Sequence, residues 1–217
     1  MDSLNYIYRK VHFILGSDLV ATQAQRKAQK RAHILDVADR LFRQEGVKAV
    51  KVTDIAKAAG VSQVTIFNYF GTKLNLAHEV VVKETVDGYE EYEQLLDDPT
   101  LSFEEKAREM IRRESQTARQ LHPDFVAFLV DDYQGKHGNF DSVTAYNDGR
   151  DDFWQKFLKL GRAEGQIRPE VSDAAIMAFT TMLINYIQSR PAGEEYQQPV
   201  ELSSGLSEIF FHGMLKN

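Results

Sequence analysis

Residues 52–70, VTDIAKAAGVSQVTIFNYF, decide the fold of this chain. Two short helical patterns lie on either side of Gly60, where the chain must turn sharply and where glycine is favoured because it tolerates positive φ. Ser62 is a suitable N-cap for the second pattern, because its hydroxyl can accept a hydrogen bond from a backbone amide of the first helical turn. We therefore predict a helix-turn-helix over about residues 51–70.

The second helix of this motif is predicted to have two different faces. The apolar side chains expected on its inner face are Ile66, Phe67 and Phe70. The outer face is then uncharged and short-chained, and its residues are Val64, Thr65, Asn68 and Tyr69. Such side chains can meet base edges, so the pattern indicates a helix that enters the major groove of DNA.

Amphipathic patterns on both sides of this motif predict an all-α chain of about nine helices. The helix before it covers residues 24–45, and a longer helix begins at Lys73 after the cap Thr72. Further helices are expected over about 103–120, from Pro123, and over about 141–163, 173–189 and 200–215. No hairpin dipeptide lies between two alternating patterns, so we predict no sheet.

Composition and charge exclude several classes of protein. The chain has 217 residues and no cysteine, so disulfide scaffolds, thiol catalysis and thiolate zinc sites are excluded. The net charge is −6, but residues 1–83 carry +6 and residues 84–217 carry −12. This asymmetry favours an anionic partner for the N-terminal third, although charge alone is equally compatible with a chance division among solvated faces.

The sequence offers no pattern for a membrane span or an enzyme. No apolar run approaches the length of about 20 residues that a transmembrane helix needs. The run from Val11 to Leu15 is too short for a signal peptide, so we expect a cytoplasmic protein without membrane contact. The six histidines show no metal-ligand spacing, and no nucleophile elbow is present. We expect no enzyme activity, catalytic residue, metal or cofactor.

Two segments, RAHILDVADRLFRQEGV (31–47) and VTDIAKAAGVSQVTIFNYFGTK (52–73), resemble the TetR family of one-component transcriptional regulators. The resemblance covers residues 28–88 specifically and implies a three-helix DNA-binding domain there. Residues 89–217 match more loosely, and the family implies a larger all-helical domain for ligand binding and dimerisation. Residues 1–27 are predicted to be an N-terminal extension, of which residues 1–22 are either a short extra helix or a mobile arm, and we favour the arm.

Nine residues are predicted to contact DNA, from their chemistry with the family resemblance as support: Lys51, Thr53, Ser62, Gln63, Val64, Thr65, Asn68, Tyr69 and Lys73. Gln63 can pair with an adenine edge, and Val64 and the methyl group of Thr65 can contact a thymine methyl group. Lys73 lies at a helix start, where its charge and the helix N-terminus both favour a phosphate. Lys51 departs from the family, which has a capping serine or threonine there, and Phe67 replaces a tyrosine whose hydroxyl binds a phosphate.

The resemblance also implies a small-molecule effector and a homodimer. The aromatic residues predicted for the effector site are Phe125, Phe128, Trp154 and Phe157. For each of them simple core packing is an alternative. The residues predicted for the dimer interface are Ala174, Ala178, Phe179, Met182, Leu206 and Phe210. Small residues among them let helices approach closely, and packing within one chain is the alternative.

The predicted function is a ligand-responsive transcriptional repressor that binds a palindromic DNA operator as a homodimer. One alternative is a helix-turn-helix protein of the same fold that acts through protein partners, as a nucleoid or division factor does. Another alternative is an enzyme that contains a three-helix module.

Overall fold

A computed structural model describes residues 22–188 and 199–215 of the chain. Residues 1–21 of the predicted N-terminal extension lie outside the described residues, as do residues 190–198 of the loop predicted over 190–199. The described parts contain nine α-helices and, apart from one isolated bridge between Ile167 and Leu215, no β-structure. The predicted all-α fold is confirmed.

The helices follow the predicted order with small shifts at their ends. Their bounds are α1 Gln23–Glu45, α2 Val52–Ala58, α3 Gln63–Phe70, α4 Lys73–Asp97, α5 Phe103–Gln120, α6 Pro123–Tyr133, α7 Asp141–Ala163, α8 Asp173–Gln188 and α9 Pro199–Met214. Helix α1 begins earlier than predicted, because Thr22 and Gln25 form a capping box at its N-terminus.

Two hydrophobic clusters stabilise the chain. The N-terminal core is formed by α1 to α3, the first half of α4, and α6, and its buried members include Ile34, Phe42, Ile55, Ile66, Phe70, Leu76, Val80 and Phe125. The C-terminal core is formed by the end of α4 with α5, α7, α8 and α9, and its buried members include Leu96, Phe103, Phe153, Trp154, Phe157, Ile176, Phe211 and Met214. Helix α4 contributes to both cores, so it connects them rigidly.

The second half of α4 packs closely against α7. The ring of Tyr89 lies on the backbone of Gly149, where an added Cβ would be only 2.2 Å from the ring atom Cδ2. Two further tyrosines, Tyr133 and Tyr146, stack beside this contact with their ring centroids 4.6 Å apart. The Thr85 hydroxyl lies 2.8 Å from the Tyr133 hydroxyl, which ties α4 to α6 at the same level.

A buried polar contact also joins α4 to α6. The His78 Nδ1 atom lies 2.8 Å from Oδ2 of Asp132, and both side chains are almost completely buried. His137 Nδ1 lies 3.1 Å from Oδ1 of the same carboxylate, and the Ser142 hydroxyl of α7 donates to the Asp132 carbonyl. Because a buried carboxylate is costly without partners, these contacts fix the position of α6 against α4.

We predict that Gly149→Ala destabilises the protein by about 1–3 kcal/mol, because the added methyl group would overlap the Tyr89 ring in a packed interface. The matched control is Gly88→Ala, where an added Cβ meets nothing within 4 Å, so the better helix propensity of alanine should stabilise by up to about 1 kcal/mol. Urea unfolding of both variants measures the two effects. Equal stability changes in the two variants would contradict the close packing at Gly149.

Candidate nucleic-acid interface

The turn between α2 and α3 has the geometry that the sequence predicts. Gly60 has a φ of 65°, in the left-handed region that favours glycine. The Val61 backbone amide donates to the Ala56 carbonyl at 3.0 Å, which closes the turn. The Ser62 hydroxyl accepts from the Thr65 amide at 3.1 Å, so the predicted N-cap of α3 is confirmed.

The exposed face of α3 differs from the predicted one at Phe67. Ile66 and Phe70 are buried as expected, but Phe67 is 44% exposed and does not belong to the inner face. At 100° per residue Phe67 lies 60° from Phe70 and equally 60° from Val64. Since Ile66 and Phe70 already occupy the space against the core, the Phe67 ring lies on the outer side beside Val64, which is 66% exposed.

Tyr69 and Thr65 lie on the flank of α3 instead of the centre of its outer face. Tyr69 is half-buried and packs against the N-terminal core beside Phe70. The Lys27 ammonium of α1 lies 6.0 Å from the centre of the Tyr69 ring, a cation–π distance. Lys27 thus places a basic group beside Tyr69 on the flank of α3. No pattern in the sequence indicated that these two residues would meet.

Lys51 and Thr53 lie at the start of α2. The Lys51 side chain makes no capping hydrogen bond, as expected for a lysine. Asp54 replaces the missing cap, because its carboxylate accepts from the Lys51 backbone amide at 3.0 Å. The Lys51 and Thr53 side chains are exposed, and both remain accessible to a phosphate backbone.

Lys73 is held at the first turn of α4. Thr72 caps this helix by accepting from the Asn75 amide at 3.0 Å, as predicted. The Lys73 ammonium lies 3.4 Å from the Lys48 carbonyl oxygen, at the loop between α1 and α2. Partial burial lowers the pKa of Lys73, and the nearby carboxylate of Asp124 opposes this effect. The lysine is therefore placed by the fold beside the helix N-terminus.

Lys48 is a candidate residue that the sequence reasoning missed. Its side chain is 90% exposed, next to Lys73. The carboxylate of Asp124, at the start of α6, accepts from the Lys48 backbone amide at 2.8 Å and lies 3.0 Å from its ammonium. Burial opposes ionisation of Asp124, but these bonds lower its pKa overall. Lys48 and Asp124 are far apart in the sequence, which gives no signal for the contact.

Ion pairs between α1 and α4 support the scaffold behind this surface. Arg43 Nη1 lies 2.6 Å from Glu84 Oε2, and Arg31 pairs with Glu79. Burial, with the Glu84 carboxylate as a second cause, raises the pKa of Asp39 to about 7. These contacts hold α1 across α4, the helix that directly follows α3.

The four aromatic residues predicted for an effector site lie in two different places. Phe125 is buried in the N-terminal core against Phe42, and Phe128 stacks on His137 with ring centroids 4.4 Å apart. Trp154 and Phe157 belong to the C-terminal core. The structure therefore does not bring the four together around one space.

An open cavity of about 540 Å³ lies between α4 and α5 in the described part of the chain. Its lining is mostly charged, and the residues include Glu91, Leu95, Glu109, Arg112 and Arg113. Arg112 and Arg113 both donate to Glu109, and these bonds lower the pKa of Glu109 to about 2. None of the four predicted aromatic residues lines this cavity.

The residues predicted for the dimer interface do lie near one another on α8 and α9. Phe179 and Phe210 stack with their ring centroids 5.5 Å apart. Ala174 and Ala178 are exposed, and Met182 is 64% exposed. Leu206 is half-buried, as is Phe210. Two exposed apolar residues that the sequence analysis did not select, Tyr186 and Ile209, extend the same surface.

The described residues contain neither a group of three or more histidine or acidic side chains that could hold a metal ion nor a helix long and apolar enough to cross a membrane.

Comparisons with known proteins agree with this geometry. The family model for "Bacterial regulatory proteins, tetR family" matches residues 34–80, from α1 into α4. The transcriptional repressor KstR2 of Mycolicibacterium smegmatis is 26% identical over 154 residues, which cover 70% of this chain and 74% of that protein. The transcriptional regulator AcrR of Shigella flexneri is 45% identical over 62 residues, 28% of this chain and 29% of that protein.

A solved structure shares the fold. The TetR transcription regulatory protein of Mycobacterium vanbaalenii superposes with a TM-score of 0.54, at 24% identity, over 75% of this chain and 95% of that one. A helix-turn-helix followed by further helices in the described residues, together with the family match and the similarity to KstR2 and AcrR, defines a DNA-binding transcriptional regulator. Residues 34–80 are therefore a region of the TetR type, and the chain is similar to transcriptional regulators over a larger part of its length.

We predict that Lys73→Ala weakens binding to all DNA sequences alike and makes the dependence of log K on log salt less steep by about one unit, because one phosphate contact is lost. The control Lys159→Ala removes an exposed charge on α7 and should leave this slope unchanged. Fluorescence titrations of labelled duplexes at several salt concentrations measure both slopes. A changed base preference with an unchanged slope would contradict the phosphate contact.

Proposed function

We infer that this regulator is a ligand-responsive repressor that binds a palindromic operator as a homodimer in the cytoplasm. The observation that carries this proposal is the pairing of one exposed recognition helix, α3, with an exposed apolar surface on α8 and α9. A single recognition helix recognises few base pairs, so specific binding needs two copies. Two-fold symmetry then requires a palindromic operator.

The DNA contacts proposed for each protomer come from three neighbouring parts of the chain. Gln63, Val64 and Asn68 are exposed on α3 and suit base edges. Lys51 and Lys73 suit phosphates, and the other proposed contacts at this surface are Thr53, Ser62, Thr65, Tyr69 and Lys48. The basic charge of residues 1–83 supports this assignment.

The dimer interface is proposed on α8 and α9, at the predicted residues together with Tyr186 and Ile209. Met182 and Ile209 are 64% and 67% exposed, which is unfavourable for large apolar side chains that remain in water. Exposed Ala174 and Ala178 let a second helix approach α8 closely. Four such helices, two from each protomer, would bury this surface as a bundle.

The effector is proposed to act in the acidic domain over residues 89–217, and the DNA-binding domain is proposed over 28–88. Helix α4 crosses this boundary and packs in both cores, so a rearrangement of the C-terminal core would move α3. A ligand changes DNA affinity only by its own preference for one arrangement. The name of the relative KstR2, a transcriptional repressor, supports repression as the direction of control.

Selection of bound duplexes from random DNA tests the proposed function. We expect a palindrome whose half-sites are about 34–36 Å apart or a multiple of that distance, because two identical recognition helices must enter successive major grooves. A selected pool without sequence preference would contradict an operator-binding repressor, and a single asymmetric motif would contradict the dimer.

We predict that Met182→Glu produces monomers and abolishes tight operator binding while the helix content is retained. A charge at this exposed position, which is 64% accessible in the single chain, would be buried without a partner in the dimer. The control Val86→Glu places the same charge at another exposed apolar position, on α4, and should remain dimeric. Light scattering measures the mass and titration of the selected duplex measures the affinity.

A Met182→Glu variant that stays dimeric with full operator affinity would place the interface elsewhere. A wild-type monomer that binds one half-site with full affinity would contradict the dimer altogether.

A further inference from the structure

Phe67 is an exposed aromatic residue on the recognition helix. Its side chain is 44% exposed, and around the helix axis it lies between the buried Phe70 and the exposed Val64. A phenyl ring has no hydrogen-bonding group, and leaving it in water forgoes the free energy of burial. The position therefore favours an apolar group of a partner that approaches α3.

Phe67 shares the outer face of α3 with two other residues. At 100° per residue, Val64, Phe67 and Asn68 fall within one sector of about 100°, on the side of α3 away from the buried Ile66, with Phe67 at the edge of the sector nearest to Phe70. Val64 is 66% exposed and Asn68 is exposed as well. Whatever surface meets α3 must therefore contact the Phe67 ring together with the Val64 methyl groups and the Asn68 amide.

This face carries two neighbouring apolar side chains, Phe67 and Val64, with the Asn68 amide on the other side of Val64. The Thr65 hydroxyl does not add a free polar group, because it lies 2.9 Å from the Ser62 hydroxyl in the capping contact. In the major groove an amide suits an adenine edge, and an apolar side chain suits the C5 methyl group of thymine. Since Phe67 has no hydroxyl, it cannot donate a hydrogen bond to a phosphate.

We propose that Phe67 is a specificity-determining residue that contacts the C5 methyl group of one thymine in each operator half-site. This inference rests on the proposed function, in which α3 enters the major groove. It assigns to Phe67 a contact that the sequence placed on Val64 and Thr65 alone. The expected operator therefore has an A·T pair opposite the middle of α3.

The experiment uses the full-length protein and the duplex recovered by selection. Each thymine of one half-site is replaced singly by deoxyuridine, which lacks only the methyl group. Wild-type protein should bind about fourfold more weakly at one of these positions, because burial of a single methyl group corresponds to about that factor. Phe67→Ala should bind the thymine and deoxyuridine duplexes equally well at that position.

Two matched variants separate this contact from the rest of the helix. Val64→Ala removes the neighbouring apolar side chain and should retain the methyl dependence at the position assigned to Phe67. Phe67→Leu keeps an apolar side chain, so it should retain part of the methyl dependence at that position. Circular dichroism measures whether each variant is folded. If Phe67→Ala is unstable, the comparison of Phe67→Leu with wild type on the same duplex pair still tests the contact.

The outcomes distinguish this inference from the proposed function. Specific operator binding that is indifferent to every deoxyuridine substitution would overturn the methyl contact and leave the repressor intact. Methyl dependence that is unchanged in Phe67→Ala would also overturn it. A failure to select any preferred sequence would overturn operator binding itself and this inference with it.

Discussion

The continuous packing of α4 in both hydrophobic cores is the constraint on which the rest of this structure depends. Leu76 and Val80 lie in the N-terminal core directly after the recognition helix, whereas Leu96 lies in the C-terminal core. A helix transmits displacement along its length, because every turn is hydrogen-bonded to the next. The close contact of Tyr89 with Gly149 fixes the second half of α4 against α7. Movement between the cores must therefore tilt or shift α3.

Polar contacts at both ends join helix α6 to the N-terminal part of the chain. Asp132 accepts hydrogen bonds from the imidazole of His78 on α4, deep in the fold. At the other end of α6, Asp124 holds the loop that carries Lys48. The His78–Asp132 contact is buried, whereas the Lys48–Asp124 ion pair is exposed. We therefore expect the first contact to hold α6 more strongly than the second.

A small rotation of the recognition helix α3 about its own axis changes which of its side chains are exposed. Helical periodicity places Phe67 equally far from the buried Phe70 and the exposed Val64, so the pattern alone allowed either side. The packing of Ile66 and Phe70 against the N-terminal core leaves Phe67 outside. The outer face of α3 is consequently more apolar than the sequence predicts, and Tyr69 lies beside Lys27 on the flank. The surface that meets DNA thus depends on a rotation of a few tens of degrees.

The sequence by itself determined the helices, their order and the helix-turn-helix, because these depend on local signals: apolar periodicity, the caps Ser62, Thr72 and Ser102, and the turn at Gly60. Tertiary structure alone decided which side chains face outward and which distant residues meet. It buried Phe125 in the core of the DNA-binding part, although its sequence position lies in the acidic region. It also joined Lys48 to Asp124, 76 residues later in the chain. Such contacts depend on how whole helices pack against one another. Local sequence patterns cannot predict this packing when the helices are far apart in the sequence.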